Sequence, residues 1–201
     1  MKSKILLKIL MPFFFLLTAF TVVGQSFTAV PTLAAQSETY GTASLGTSFS
    51  VNGTSLTTAD VVVTVTNSAF EIRIGAGSWG ASLNIPSGDI PATVDVRLKA
   101  TANAGNYSGI ILNLSGGGVA TPLDVDIDLS TVAKKAITIS GTSIASKTYD
   151  ATTAAGNITL GTVAGLVGSE TLAITPSATA YSSANVGAAY TSTVSYVIAD
   201  G

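Results

Sequence analysis

Apolar and polar residues alternate in short runs along most of the chain, and no stretch keeps a helical period of 3.6 residues for long. In the run FEIRI at 70–74, the apolar side chains share one face while Glu71 and Arg73 share the other. Residues 93–99 repeat this pattern, and residues 110–114 follow it more loosely. Each run predicts a half-buried strand. The sequence therefore predicts an all-β protein.

Clusters of turn-forming residues separate these predicted strands. They lie at 75–78, 86–89 and 115–118, and they are rich in Gly, Ser and Pro. Several short strands at this spacing, with no helix between them, are typical of an Ig-like β-sandwich.

One series of predicted strands ends at Leu129 and a new one starts at Ala136, so a boundary near residues 131–136 predicts two tandem modules. The first covers residues 38–131, a length that suits one β-sandwich. The second covers residues 135–201, with strands expected near 136–139, 158–160, 171–174 and 190–198. Asp200-Gly201 is a strong hairpin-turn signal, so we expect the second module to be incomplete. A β-grasp-like fold is the alternative for it.

The N-terminus has the layout of a secretory signal peptide. Three lysines precede an apolar run at residues 9–23, and small residues follow the run. We predict a signal peptide over residues 1–24, cleaved after Gly24 or, as a second candidate, after Ala35, and a linker over residues 25–37. The alternative is an uncleaved membrane anchor. Either alternative places the rest of the chain outside the cell, secreted or on the surface.

Composition removes most catalytic apparatus, because the chain contains no His and no Cys and only 10% charged residues. A Ser-His-Asp triad, a Cys-His pair and a Cys/His zinc site each need one of the missing residue types. The lack of Cys also rules out disulfides, so each module must be held by its hydrophobic core. We expect no enzymatic activity and no cofactor.

The charge balance argues against a nucleic-acid partner. Removing Lys2, Lys4 and Lys8 with the signal peptide leaves six of the nine basic residues against eleven acidic ones. Binding to a phosphate backbone needs clustered Lys and Arg. Here only Lys134 and Lys135 are adjacent, so we expect no nucleic acid to bind.

Three acidic residues form a candidate calcium site. Asp124, Asp126 and Asp128 alternate with apolar residues, so their carboxylates point the same way in a strand, roughly 7 Å apart. Oxygen ligands suit Ca²⁺, but the run lacks the Gly and the bidentate Glu of an EF-hand loop. We favour a solvent-exposed face of an edge or end strand, where charge discourages pairing with another chain.

Trp79 is the only tryptophan, and it lies in a predicted hairpin tip between Ser78 and Gly80. An exposed aromatic ring on a loop is a candidate platform for stacking on a sugar. We favour the alternative, in which the ring packs over the end of the sandwich.

Lys147, Tyr149 and Asp150 invite a chemical interpretation as a reactive lysine beside a phenol and a carboxylate. A structural explanation is simpler. Tyr149 would fill the core of the second module, while Asp150 would bond to its own turn, as Asp commonly does.

Part of the second module resembles a known repeat. Residues 147–153 (KTYDATT), 185–187 (NVG) and 194–201 resemble the YDG repeat of large bacterial adhesins and secreted surface proteins, which is related to the MBG modules. Ala151 stands where the family usually has Gly. The resemblance covers most of residues 136–201 and implies a surface β module. It does not extend to the similarly named module that reads methylated DNA.

The first module is similar to a β-sandwich repeat common in secreted multidomain proteins of Bacteroidetes-type bacteria. The matching stretches are residues 49–56, 70–72, 94–100 and 104–109. The similarity implies a spacer that lies beside adhesive repeats or beside secreted nucleases and other hydrolases, with any catalysis elsewhere in those chains.

These observations favour a non-catalytic structural and adhesive segment of a large bacterial surface protein. One alternative is a pair of accessory domains of a secreted hydrolase, for example an extracellular nuclease, whose catalytic domain would lie beyond residue 201. Another is a carbohydrate-binding module. The expected partner is a surface ligand, either a glycan or a host or cell-surface protein. A membrane would be contacted only through the signal peptide or a missing anchor.

Overall fold

The computed structural model describes residues 24–187 and 190–200. The predicted signal peptide lies outside the described residues except for Gly24. Within the described part of the chain, β-strands arranged in several sheets dominate, which confirms the all-β prediction. In this part of the chain no helix is long and apolar enough to cross a membrane.

Ten strands build the N-terminal module. They are β1 (Ser26–Phe27), β2 (Ser37–Thr39), β3 (Thr47–Val51), β4 (Gly53–Thr54), β5 (Val61–Val65), β6 (Phe70–Arg73), β7 (Ser82–Ile85), β8 (Ala92–Leu98), β9 (Gly105–Gly116) and β10 (Leu123–Ala133), with a short 3-10 helix at Ser87–Asp89. The predicted turns at 75–78, 86–89 and 115–118 fall at or next to strand ends.

These strands form two main sheets around one core. One sheet has five strands in the order β2-β10-β9-β5-β7, and the other has three in the order β3-β8-β6. All their pairings are antiparallel except that of β2 with β10. Both sheets contribute to the buried cluster, as in a β-sandwich. Its fully buried members include Val51, Val61, Val63, Phe70, Ile72, Val94, Val96, Leu98, Ile111, Leu112, Leu114 and Val125.

Residues 25–37 belong to this module and do not form the predicted linker. β1 pairs with β4, and Leu33 is buried and bridges to Ile127 of β10. Gln36 is buried as well. Burial of the Leu33 side chain in the sandwich core removes apolar surface from water, which is favourable. This burial holds the segment against the module.

Gln36 joins the two sheets through buried hydrogen bonds. Its side-chain amide nitrogen donates to the Val96 carbonyl oxygen (3.2 Å), and its Oε1 accepts from the Leu98 amide (3.0 Å), both in β8. Its own backbone amide donates to Ser130 Oγ in β10 (3.0 Å). Buried polar groups are tolerated when they are paired in this way.

A bulge divides β10 into two parts with opposite alternation. Val125 and Ile127 face the core before it, and Ser130 and Val132 face the core after it. The pairing with β9 shifts between Ile127 and Ser130, where β10 carries one extra residue. The sequence pattern predicts an end at Leu129, but the strand continues to Ala133.

Six strands build the second module. They are β11 (Thr138–Ser140), β12 (Ser143–Ile144), β13 (Ile158–Thr159), β14 (Thr162–Ala164), β15 (Leu172–Ala178) and β16 (Val194–Asp200). β11 with β14 and β12 with β13 form one interrupted hairpin, and β15 with β16 forms a second ribbon.

The interruption in the first hairpin requires a glycine. A Cβ on Gly161 would lie 2.0 Å from the Ser140 carbonyl oxygen, far inside van der Waals contact. Thr142 Oγ1 accepts from the Gly161 amide (3.0 Å) and from Tyr196 Oη on the second ribbon (2.8 Å). This hydroxyl therefore ties the two ribbons together.

The second module is open. Among its described residues, 134–187 and 190–199, no side chain is fully buried, and the inward residues of both ribbons are only half-buried. A β-grasp fold packs a helix on its sheet, and no helix occurs among residues 134–187 and 190–200. The structure therefore does not support the β-grasp alternative.

Candidate functional site

A pocket of about 360 Å³ opens on the second module. Its walls come from two loops, residues 145–157 between β12 and β13 and the described residues 179–187 and 190–193 between β15 and β16. Residues from the KTYDATT stretch line one wall, and Asn185, Val186 and Gly187 belong to the other. Two motifs that are distant in sequence therefore meet at one site.

The first loop is shaped by Asp150. Its Oδ1 accepts from the backbone amide (3.0 Å) and from the hydroxyl (2.9 Å) of Thr152, closing a tight turn around Ala151. Ala151 has a left-handed φ of 60°. The prediction that Asp150 bonds to its own turn is confirmed.

Lys147 completes the turn. Its Nζ lies 2.8 Å from Asp150 Oδ1 and 3.0 Å from Asp150 Oδ2, and it also donates to the Thr152 carbonyl oxygen (3.1 Å). The Lys147 ammonium and the bonds from Thr152 lower the pKa of Asp150 from 3.8 to about 2. An ammonium held by three acceptors is a poor nucleophile, because its nitrogen lone pair carries a proton. This geometry favours a structural role for Lys147.

Two hydrogen bonds join the loops. The Tyr181 amide donates to the Thr153 carbonyl oxygen (2.7 Å), and the Gly156 amide donates to Tyr181 Oη (3.4 Å). Within the second loop, the Tyr190 hydroxyl packs closely against Gly187. A Cβ at position 187 would lie 2.5 Å from the Tyr190 hydroxyl oxygen, so a larger residue would not fit. The pocket walls are thus fixed by hydrogen bonds and close packing.

Three tyrosines line the pocket. Tyr149 is 61% exposed, and Tyr181 and Tyr190 are half-buried. The prediction that Tyr149 fills the core is wrong, because it lies on a loop of a module whose described residues bury no side chain fully. Sequence reasoning missed Tyr181 and Tyr190. The signal available for them was the presence of aromatic residues on both sides of the NVG stretch.

Trp79 lies on the outer face of the three-stranded sheet. The Arg73 and Arg97 guanidinium carbons are 4.4 Å and 4.1 Å from its ring centroid, which is cation-π geometry. These arginines also pair across β6 and β8 with Asp95 (3.2 Å) and Glu71 (2.7 Å).

The expected hairpin tip around Trp79 is confirmed by reciprocal backbone bonds between Ile72 and Gly80, each 2.9 Å. The ring packs on the face of the sheet, however, and not over the end of the sandwich. A sugar contact at Trp79 stays a prediction.

The three aspartates of the calcium hypothesis do not converge. Asp124, Asp126 and Asp128 follow one exposed face of β10, and Asn113 Nδ2 donates to Asp124 Oδ1 (2.8 Å). Within residues 24–187 and 190–200, no group of three His, Cys, Asp or Glu side chains is placed to hold a metal ion. The three side chains are exposed to solvent. The edge of β10 beside them is nevertheless covered in part, because the Leu33 amide donates to the Asp126 carbonyl oxygen (2.8 Å) and the Asp128 amide donates to the Leu33 carbonyl oxygen (2.9 Å).

Comparison with known proteins gives one match. The family model described as the YDG domain matches residues 133–201, a stretch that begins where β10 ends and includes both walls of the pocket. No curated protein and no solved structure matches the chain. The similarity of the first module to a Bacteroidetes-type repeat stays a prediction. The C-terminal part of the chain, residues 133–201, is therefore similar to the YDG domain, as its motifs predicted.

Proposed function

We propose that this chain is an exported, non-catalytic structural and adhesive segment of a bacterial surface protein. In this proposal the first module is a spacer, and the second module presents a binding surface. The observation that carries the proposal is the contrast between a module with a closed core and a module whose loops form an open pocket.

The first module has the properties of a spacer. Its core is a single cluster that draws on both sheets. Throughout the described part of the chain, every buried side-chain nitrogen or oxygen has a hydrogen-bond partner. A closed core with satisfied polar groups resists local opening, which is what an extracellular spacer without disulfides requires.

The second module has the properties of a presenting surface. The buried cluster of the chain ends at Val132, and the loops of the second module carry Tyr149 and Val186 with 61% and 82% of their surface exposed. Large exposed side chains beside a pocket are typical of interaction sites. The resemblance of its motifs to the YDG repeat of bacterial adhesins is a further reason for the proposal.

Adhesion can be tested with beads that carry the purified chain. We expect these beads to be retained on bacterial or epithelial cells under flow, and beads that carry serum albumin to wash off. Surface exposure is tested separately by mild proteolysis of intact bacteria, which should release peptides from residues 25–201. Absence of retention on every cell type, or turnover of a hydrolase substrate by the chain alone, would contradict the proposal.

A further inference from the structure

We infer that the pocket of the second module binds a neutral saccharide. This inference rests on the proposed adhesive function and names the chemical class of the ligand. It is carried by the aromatic lining of the pocket, by its balanced charge and by its unpaired hydrogen-bonding groups. The site is separate from Trp79, which lies in the first module.

The lining combines rings with polar groups. Tyr149, Tyr181 and Tyr190 supply aromatic surface from both loops, and Ser146 and Asn185 supply a hydroxyl and an amide group. The Thr152 hydroxyl is already engaged by Asp150 and Lys147. A pyranose has an apolar face of C–H groups and a rim of hydroxyls, so it matches a surface of this kind. The volume of about 360 Å³ falls within the range of roughly 300–1,000 Å³ that is common for small-ligand pockets.

The charges of the lining cancel. Lys147 and Asp150 are its charged residues, and they neutralise each other in a bidentate ion pair. A cationic ligand would meet the Lys147 ammonium, and an anionic ligand would meet the Asp150 carboxylate. Either would have to compete with the existing ion pair, so the pocket favours a ligand without net charge.

Hydrogen-bonding groups remain available in the pocket. Within the described part of the chain, the side chains of Tyr149, Asn185 and Tyr190 form no hydrogen bond to another residue, whereas Tyr181 is already tied to Gly156. Asp150 keeps 51% of its side chain exposed. Hydroxyl and amide groups held on fixed loops can bond to sugar hydroxyls at little cost in ordering.

The inference is tested by NMR titration of the ¹⁵N-labelled chain. The neutral probes are glucose, galactose, mannose, N-acetylglucosamine, lactose and cellobiose, and the charged probes are sialyllactose and tetramethylammonium. We expect at least one neutral saccharide to shift the amides of residues 147–152 and 183–187, with a Kd of about 1 mM or lower. Added NaCl should leave this Kd unchanged, because the pocket carries no net charge.

Variants locate the binding site. Tyr149→Ala and Asn185→Ala should each raise the Kd by about tenfold or more. Both side chains are exposed, so the fold should survive, and a dispersed spectrum checks this. Val197→Ala is the matched control, because Val197 is an exposed side chain of the same module away from the pocket, and it should leave the Kd within about twofold.

Three results would overturn the inference: no neutral probe binds, only a charged probe binds, or Tyr149→Ala binds as the wild type does. Failure of the adhesive proposal looks different. If the chain binds a saccharide but its beads are not retained on cells, the proposed function fails and the pocket inference stands. If Tyr149→Ala beads adhere normally and no saccharide binds, adhesion resides elsewhere on the surface.

Discussion

Ala151 occupies a backbone conformation that suits glycine. Its φ of 60° lies in the left-handed region, where a Cβ approaches the following carbonyl oxygen and costs an L residue about 1 kcal/mol. The turn forms nevertheless, because the Asp150 carboxylate bonds to Thr152 across it. The position where the YDG family usually has Gly is thus one of the two described positions, with Ser55, where a non-glycine residue takes a left-handed φ.

Ala151→Gly should stabilise the second module. The strain energy that glycine relieves at this φ is larger than the free-energy cost of the extra conformational entropy of glycine in the unfolded chain. We therefore expect the free energy of unfolding to rise by about 0.5 kcal/mol. Chemical unfolding followed by NMR signals of residues 138–187 measures it. The control Ala173→Gly lies in extended strand β15 and should lose about 0.5–1 kcal/mol. A loss of stability in Ala151→Gly would contradict the strain argument.

The pKa of Asp150 depends first on Lys147. In the wild type it is lowered from 3.8 to about 2, so the turn is stabilised at pH values above 3.8, and this stabilisation disappears as the pH falls through about 2. Lys147→Met should raise the pKa toward 3.8, because the largest cause of the shift is removed. Carboxyl ¹³C NMR measures the titration midpoint of Asp150 in the wild type and in Lys147→Met. An unchanged midpoint in Lys147→Met would show that the ion pair does not form in solution.

At the scale of elements, the segment before β2 bears on the two predicted cleavage sites of the predicted signal peptide. A chain that starts at Gln25 keeps β1 and Leu33, whereas cleavage after Ala35 removes both. Leu33 is only 4% exposed, and loss of a buried leucine commonly costs about 2–5 kcal/mol. The packing of this segment therefore favours cleavage after Gly24 over cleavage after Ala35.

Two chains, residues 25–201 and 36–201, test this expectation. The shorter chain should unfold at a lower urea concentration, with a loss of about 2–5 kcal/mol in the first module. Leu33→Ala in the longer chain is the matched control and should reproduce most of the loss. Equal stability of the two chains would show that the segment is a linker after all, and N-terminal sequencing of the exported protein would then decide the cleavage site.

The bulge in β10 explains why this strand continues beyond the point where the alternation of apolar and polar residues ends. Alternation in the sequence continues through Leu129 and breaks at Ser130-Thr131, which predicts that the strand ends at Leu129. In the structure, β10 carries one extra residue relative to β9 between Ile127 and Ser130. As a result, Leu129 points outward with 61% of its surface exposed, and Ser130 points into the core. Pairing with a neighbouring strand absorbs the irregularity.

At the scale of the whole molecule, the residues at the start of the first module touch the second module: Gly41 lies against the Val167 side chain, and Tyr40 bonds to Glu170. Tyr40 Oη donates to Glu170 Oε1, and the Val167 amide donates to Glu170 Oε2 (3.0 Å). The bond raises the pKa of Tyr40 and lowers the pKa of Glu170. The connection between the modules is short, because only residues 134–137 separate β10 from β11. The Tyr40–Glu170 bond further restrains the orientation of the two modules across this connection.

Tyr40→Phe should loosen the joint without unfolding either module. The hydrogen bond is exposed to solvent and adds little to stability, but it fixes a relative orientation. Small-angle X-ray scattering should show a broader distribution of interatomic distances, with the unfolding midpoint unchanged. Tyr149→Phe removes an exposed hydroxyl away from the joint and should leave the scattering unchanged. An identical distribution for Tyr40→Phe would show that this bond does not set the geometry.

The all-β fold, the main turns and the likeness of the second module to the YDG domain follow from the order of the amino acids alone. Alternation with period two and turn-forming residues depend only on residues that are close in sequence, so they can be recognised without a structure. The absence of His and Cys likewise excludes whole classes of chemistry, because a residue type that the chain lacks cannot act in any fold that the chain adopts.

Which distant residues meet became clear from the folded chain. It buried Leu33 and Gln36 in a segment expected to be a linker, placed Trp79 on two arginines, and brought Tyr181 and Tyr190 to the same pocket as Tyr149. The physical reason is that alternation fixes which face a side chain takes but not which strand or loop lies opposite. That choice depends on contacts between distant parts of the chain.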